Sequence, residues 1–115
     1  MVKKKSKFRH ISISNKKYYF YEITWIDPCG DSGHATEKEF KAMKPATMTT
    51  NAYVFDKDKK YLWTFASYDD ETFSDRNCFP IGCIKEMKKV EIWYHFQKKN
   101  IILFIVTQLG TLKHT

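Results

Sequence analysis

The sequence predicts a mainly β domain, a small antiparallel barrel or sandwich, on three observations. Aromatic residues make up 17% of the 115 residues, and they lie with β-branched residues in short runs typical of strands. Short polar connections separate these runs, as in antiparallel hairpins, and no helical crossovers intervene. The longest apolar run near the end, residues 101–106, is far shorter than the roughly 20 residues that a membrane helix needs. No membrane partner is therefore predicted.

Residues 18–27 form the clearest strand. One face carries large apolar side chains: Tyr19, Tyr21, Ile23 and Trp25. The other face carries Glu22 and Thr24, so the alternation is typical of a half-buried strand.

A short helical turn near residues 36–41 follows the loop 27–34, which is rich in turn residues. Thr36 precedes the turn and Glu39 lies three residues later, the spacing of a capping box. Pro45 follows Lys44 and ends the helical segment.

Two further strands are predicted over residues 48–55 and 61–67, joined by a charged hairpin connection at 56–60. A polar loop over 68–75 follows. The segment 78–84 then reads as a strand end, a tight turn at Pro80 and another strand.

The last quarter of the chain allows two interpretations. Residues 90–96 alternate as a strand does, residues 97–100 form a turn, and residues 101–107 form a β-branched return strand. A helix over 86–99 is the competing interpretation, because several apolar residues there also fall near helical spacing. The hairpin is favoured, since Ile, Val, Tyr and Trp fit a pleated surface better. This hairpin is expected to pack on the barrel as a C-terminal extension, residues 91–115.

The net charge of +7 is concentrated near the beginning of the chain. Seven basic residues and no acidic residue occur in the first 17 positions: Lys3, Lys4, Lys5, Lys7, Arg9, Lys16 and Lys17. From residue 18 onward, 13 basic and 13 acidic residues balance. The sequence therefore predicts a neutral body and a flexible basic tail, residues 1–17, that could contact the phosphates of a nucleic acid.

Residues 18–90 resemble a group of small, uncharacterised proteins of tailed bacteriophages. The resemblance rests on Trp25-Ile26-Asp27, the glycine-containing loop 30–33, the aromatic hairpin 53–65 and the turn 79–84. The same layout resembles an SH3-type barrel, with the turn at Pro80 before the closing strand. The resemblance implies a phage-encoded protein in the host cytoplasm. It implies no activity, and the absence of an Ala-Leu-Tyr-Asp-Tyr element gives no support for binding of proline-rich peptides.

Three cysteines and one histidine form a weak candidate for a zinc site: Cys29, His34, Cys78 and Cys83. Zinc prefers four such sulfur and nitrogen ligands, but neither half has the close C-x2-C spacing. Buried or unpaired thiols are the favoured interpretation, and no cofactor is predicted. Three cysteines with no secretion signal indicate a reducing, cytoplasmic environment.

The predicted function is that of a binding module and not of an enzyme. The first hypothesis is modulation of a host protein through an acidic loop and aromatic side chains: Asp27, Asp31, His34, Tyr53 and Trp63. The second is a nucleic-acid-associated protein that uses the basic tail. A zinc or thiol enzyme is the least favoured. The strands 48–55 and 61–67 are apolar on both faces, so one face must meet another surface. Coverage by the C-terminal hairpin is the favoured interpretation, and self-association or a ligand is the alternative.

Overall fold

The protein is an antiparallel sheet with one short helix outside it. The computed structural model describes the backbone of residues 3–96 and 101–113 and the side chains of residues 7–92. The elements, in chain order, are β1 (Lys3–Phe8), β2 (His10–Ile13), β3 (Lys16–Asp27), α1 (Glu37–Lys41), β4 (Ala46–Lys57), β5 (Tyr61–Phe65), β6 (Ser67–Tyr68), β7 (Phe73–Ser74), β8 (Asn77–Pro80), a 3-10 helix (Ile81–Cys83), β9 (Ile84–Phe96) and β10 (Ile101–Lys113).

The main sheet has the strand order β1-β9-β3-β4-β5-β8, and every pair in it is antiparallel. Strand β10 pairs with β9, β2 pairs with β3, and β6 and β7 form a separate two-stranded ribbon. The predicted mainly β class is therefore confirmed. The SH3-like barrel is not confirmed, because the described strands form an open sheet in which β8 does not pair with β9.

The sheet is strongly curled. Strands β3 and β8 are three strand spacings apart, about 14 Å in a flat sheet, yet the ring centroids of Trp25 and Phe79 lie only 5.0 Å apart. Register shifts at Thr24/Trp25 and Val54/Asp56 mark bulges, which increase strand bending. The curled sheet thus has a concave and a convex face.

Each face carries its own apolar cluster. The concave cluster contains five buried residues: Ile23, Leu62, Phe79, Ile84 and Met87. The convex cluster contains four buried residues: Ile13, Tyr18, Tyr53 and Phe65. Ile11, Phe20 and Phe73 pack against the convex cluster. The helix α1 has no buried residue, whereas Phe73 of the β6–β7 ribbon packs on the convex cluster and Ile81 of the 3-10 helix packs on the concave cluster.

The predicted helical turn and its cap are confirmed. The Thr36 hydroxyl accepts a hydrogen bond from the Glu39 amide (3.2 Å), and the Glu39 carboxylate accepts one from the Thr36 amide (3.1 Å). This reciprocal capping box begins α1. The backbone and side-chain bonds to Thr36 also lower the pKa of the exposed Glu39 carboxyl.

The predicted strands over 18–27, 48–55 and 61–67 are confirmed, although the last is interrupted after Phe65. The C-terminal hairpin is also confirmed, because β9 and β10 pair antiparallel from Ile101↔Phe96 to Lys113↔Glu86. The competing helix over 86–99 is wrong for the described backbone, which is extended to Phe96. The predicted turn at 97–100 lies outside the described residues.

The N-terminal segment differs from the expected flexible tail. Strand β1 pairs with the second half of β9, and β2 pairs with the start of β3 through a hairpin at Ser14 and Asn15, both with positive φ. Between β1 and β2, the Arg9 amide donates to the Val90 carbonyl (2.9 Å), and the Phe20 amide donates to the Arg9 carbonyl (3.0 Å). In β2, Ile13 is buried and Ile11 packs against the convex cluster, so this strand contributes to the core. Strands β3 and β9 also run through the predicted boundaries at 17/18 and 90/91.

Candidate binding surface

Aromatic rings form the centre of the convex face. Phe65 is 1% exposed, and its ring centroid lies 4.7 Å from Phe73, 5.4 Å from Tyr18 and 5.5 Å from Tyr53. Phe55 stacks on Tyr18 at 5.8 Å but remains 39% exposed. The cluster therefore continues from the buried core to the protein surface.

An open cavity of about 410 Å³ lies at the exposed side of this cluster. Its lining consists of Phe55, Trp63, Thr64, Phe65, Glu71, Thr72, Phe73, Arg76 and Asn77. Four of these side chains are aromatic, and the volume is within the range of about 300–1,000 Å³ usual for ligand pockets. Thr64 is 2% exposed, and its hydroxyl has no hydrogen-bond partner among the described residues. The Thr64 hydroxyl is itself buried, so the accessible walls of the cavity are mainly the aromatic rings.

An acidic loop borders the cavity. The segment that we call the loop 69–75 comprises the turn between β6 and β7, strand β7 and the residue after it. It carries four carboxylates: Asp69, Asp70, Glu71 and Asp75. Within the part of the chain whose side chains are described, none of these carboxylates forms an ion pair. The loop is therefore a patch of uncompensated negative charge beside an aromatic cavity.

Hydrogen bonds fix the shape of this loop. The Asp69 carboxylate accepts hydrogen bonds from the amides of Glu71 (2.9 Å) and Thr72 (2.6 Å), and the Asp69 amide donates to the Thr72 carbonyl (3.0 Å). These bonds lower the pKa of Asp69, so this carboxyl stays ionised at neutral pH. Asp75 has a φ of 50° and accepts a hydrogen bond from the Ser67 hydroxyl.

Basic side chains lie over several rings of the aromatic cluster. The Arg9 guanidinium carbon is 3.9 Å from the Phe20 ring centroid and 5.9 Å from that of Tyr53. The Lys16 ammonium is 5.5 Å from the Tyr18 ring and 5.7 Å from the Phe55 ring. The aromatic cluster therefore has basic side chains over some of its rings, including the cavity-lining Phe55, as well as the acidic loop beside the cavity.

The predicted phosphate-contacting residues are only partly described. Lys7 and Lys17 are exposed on strands, whereas the side chains of Lys3, Lys4 and Lys5 lie outside the described residues. Arg9 and Lys16 lie over aromatic rings, as above. The four cations whose side chains are described are thus carried by a segment that pairs with the sheet.

The predicted partner-binding residues do not come together. Tyr53 is 7% exposed and belongs to the convex cluster, and the half-buried Trp63 lines the cavity. Asp27 lies at the opposite end of β3 from Phe20, the neighbour of Tyr53, which is about 23 Å away at roughly 3.3 Å per residue. Asp31 and the exposed His34 follow Asp27 in the loop, where Asp31 accepts a hydrogen bond from the Gly33 amide.

The sequence predicts the partner-binding acids in the loop 27–34, whereas the acidic residues beside the cavity lie in the predicted polar loop, residues 68–75. The signal in the sequence was the run Asp69-Asp70-Glu71, which no basic residue interrupts before Arg76.

The four candidate zinc ligands are not assembled. Cys29 is exposed, and its thiol donates to the Lys44 carbonyl at 3.4 Å. Cys78 is exposed on β8, and Cys83 is half-buried in the 3-10 helix. Among the described residues, no group of three or more His, Cys, Asp or Glu side chains is arranged to hold a metal ion.

The concave face has a separate cation–aromatic contact. The Lys89 ammonium lies 4.5 Å from the Tyr19 ring centroid, 4.7 Å from Phe8 and 5.8 Å from Tyr21. Burial, with a smaller contribution from Tyr19, raises the pKa of Tyr21. Lys89 pairs with Tyr21 across β9 and β3, so this contact reinforces the sheet where β1 joins it.

Comparisons with known proteins give no relative. No family model, no curated protein and no solved structure matches the chain. Within the described residues there is no helix of the length and hydropathy needed to span a membrane.

Proposed function

We propose that the protein is a non-enzymatic binding module that recognises another protein through the aromatic cavity of its convex face. The observation that carries this proposal is the open cavity of about 410 Å³ walled by Phe55, Trp63, Phe65 and Phe73. Aromatic side chains are enriched at the centres of protein interfaces, where they supply large contact areas. The partner would insert a bulky apolar side chain between these rings.

We further propose that the curled sheet is related in topology to an SH3-like barrel. The strand order β9-β3-β4-β5-β8 supports this, together with the 3-10 helix that joins β8 directly to β9. The contact between Trp25 and Phe79 across the concave face also supports it. The resemblance of residues 18–90 to tailed-phage proteins favours a host protein in the host cytoplasm as the partner.

Association with nucleic acid is the second candidate function. The seven basic residues within positions 3–17 favour it, and bases could stack on exposed rings such as Phe55. The carboxylates of the loop 69–75 oppose it at the cavity, because they repel phosphate groups. A protein partner is therefore the better fit to the charge around the cavity.

Replacing Trp63 by Ala tests the proposed function. A random twelve-residue peptide library is panned against the full chain, and the affinity of an enriched peptide is measured by calorimetry. We expect Trp63→Ala to weaken binding about tenfold or more, because it removes one wall of the cavity.

Tyr61→Ala is the matched control, since Tyr61 is 43% exposed on the same strand, 5.7 Å from Trp63, and does not line the cavity. Its affinity should stay within about twofold of the wild type, and thermal melts confirm that both variants are folded. Equal binding by all three proteins contradicts the proposal. Binding of oligonucleotides that is lost at high salt, with no peptide enriched, supports the second candidate instead.

A further inference from the structure

We propose that the segment recognised by the cavity carries a large aromatic or aliphatic anchor residue flanked by Lys or Arg residues on the side of the loop 69–75. This inference rests on the proposed function and adds the chemistry of its ligand. It follows from the different character of the cavity walls and of the loop beside them.

The apolar part of the ligand is specified by the rings. Phe55, Trp63, Phe65 and Phe73 surround a space large enough for one bulky side chain. Aromatic pairs prefer edge-to-face and offset arrangements, and the Phe65 and Phe73 rings already meet at 66°. A flat or branched apolar side chain would extend this arrangement, whereas a small or charged side chain would leave the rings in contact with water.

The basic part of the ligand is specified by charge complementarity. Between residues 69 and 76 the chain carries four carboxylates and one cation, Arg76. Glu71 and Arg76 both line the cavity, and the carboxylates of Asp70 and Glu71 accept no hydrogen bond within the described chain. Lysine or arginine residues next to the anchor would meet these carboxylates, and complementary charges raise the association rate and exclude acidic partners.

The acidic loop is organised before any ligand arrives. Its turn is closed by the Asp69 carboxylate and by the pairing of β6 with β7. A preorganised loop loses less conformational freedom on binding. The backbone that carries Asp70 and Glu71 therefore loses little conformational entropy when their carboxylates bind a ligand.

A second copy of this chain is the alternative source of such a segment. Lys7, Phe8 and Arg9 combine an aromatic residue with basic neighbours. The backbone of this segment, however, is paired with β9 and bonded to Phe20. It could enter the cavity of another copy only by leaving its own sheet, so a separate partner peptide fits the structure better.

The test compares peptide selection by the wild type and by Asp70→Asn/Glu71→Gln. A random twelve-residue library is panned on both proteins. The affinity of a selected peptide is then measured at salt concentrations of about 50 and about 300 mM. We expect the wild type to enrich an aromatic or aliphatic anchor with Lys or Arg beside it, and its affinity to fall about tenfold at the higher salt. The double variant should retain the anchor preference, lose the basic preference and show at most a threefold salt effect.

Glu37→Gln/Glu39→Gln is the matched control. It removes the same two charges from the exposed helix α1, and glutamine at position 39 can keep the capping box. This control should select peptides as the wild type does.

Anchors enriched without basic neighbours overturn the inference but leave the proposed function standing. If no peptide is enriched above the Trp63→Ala background, the proposed function itself fails. A peptide-free dimer that dissociates in Asp70→Asn/Glu71→Gln, measured by light scattering, identifies the second copy as the ligand and also overturns the inference.

Discussion

Replacing Phe65 by Ala is expected to lower the free energy of unfolding by about 3–5 kcal/mol. Phe65 is 1% exposed and contacts five aromatic rings within 6.4 Å: Tyr18, Tyr53, Phe55, Tyr68 and Phe73. Its removal leaves a cavity that these rings cannot fill without abandoning their edge-to-face contacts. Because small domains have a total stability of about 5–15 kcal/mol, the variant should melt at a much lower temperature. Urea titration followed by tryptophan fluorescence measures the loss.

Phe40→Ala is the control for this prediction. Phe40 lies on α1 and is 69% exposed, so its replacement should change stability by no more than about 0.5 kcal/mol. If both variants lose the same free energy, the convex aromatic cluster is not a core of this protein.

Deleting residues 1–17 is expected to prevent cooperative folding. The deletion removes β1, β2 and the start of β3, and it exposes Tyr18 by taking away Ile11 and Ile13. It also leaves unpaired backbone edges on β3 and β9, which promote aggregation. Circular dichroism and amide dispersion in nuclear magnetic resonance spectra would report the loss of a folded state.

The control for this deletion is a variant that removes positive charge but keeps the strands β1 and β2. Lys16→Gln/Lys17→Gln keeps the hairpin between β2 and β3, so it should fold and melt within a few degrees of the wild type. A truncated chain that remains folded, with an unchanged melting temperature, would support the flexible tail that the charge pattern predicted.

The local elements of the fold could be read from the sequence because their signals are short-range. The alternation around Ile23 determines which face of β3 is buried, and the spacing of Thr36 and Glu39 determines the cap of α1. The hairpin of β9 and β10 was likewise favoured by its β-branched residues. These features depend on neighbours within a few positions.

The N-terminal segment was predicted as a flexible tail from its positive charge, whereas the structure has β1 and β2 there. The prediction did not use the alternation of apolar and polar residues in this segment. Its lysines predict mobility, but Ile11 and Ile13 alternate with polar residues and complete the convex cluster. Backbone pairing with β9 joins residues more than 80 positions apart, as in Lys3↔Phe96. Composition carries no signal for such a long-range pairing.

The sequence predicted only part of the candidate site, because composition also carries no signal for which distant segments meet in the fold. Trp63 was predicted as a partner-binding residue, and it lines the cavity. Of the acidic residues predicted with it, Asp27 is the last residue of β3 and Asp31 follows in the next loop. Deciding between the two acidic loops requires the curl of the sheet, which is associated with register shifts between β3 and β9 at Thr24/Trp25 and between β4 and β5 at Val54/Asp56.

The most direct measurement is a map of backbone amide shifts when an enriched peptide is added to the isotopically labelled full chain. We predict that the changes in amide shift are concentrated on β5, on the loop 69–75 and at the start of β8, around Trp63 and Arg76. Shifts concentrated on the loop 27–34, or spread along the strands of residues 3–17 with the cavity unchanged, would contradict it.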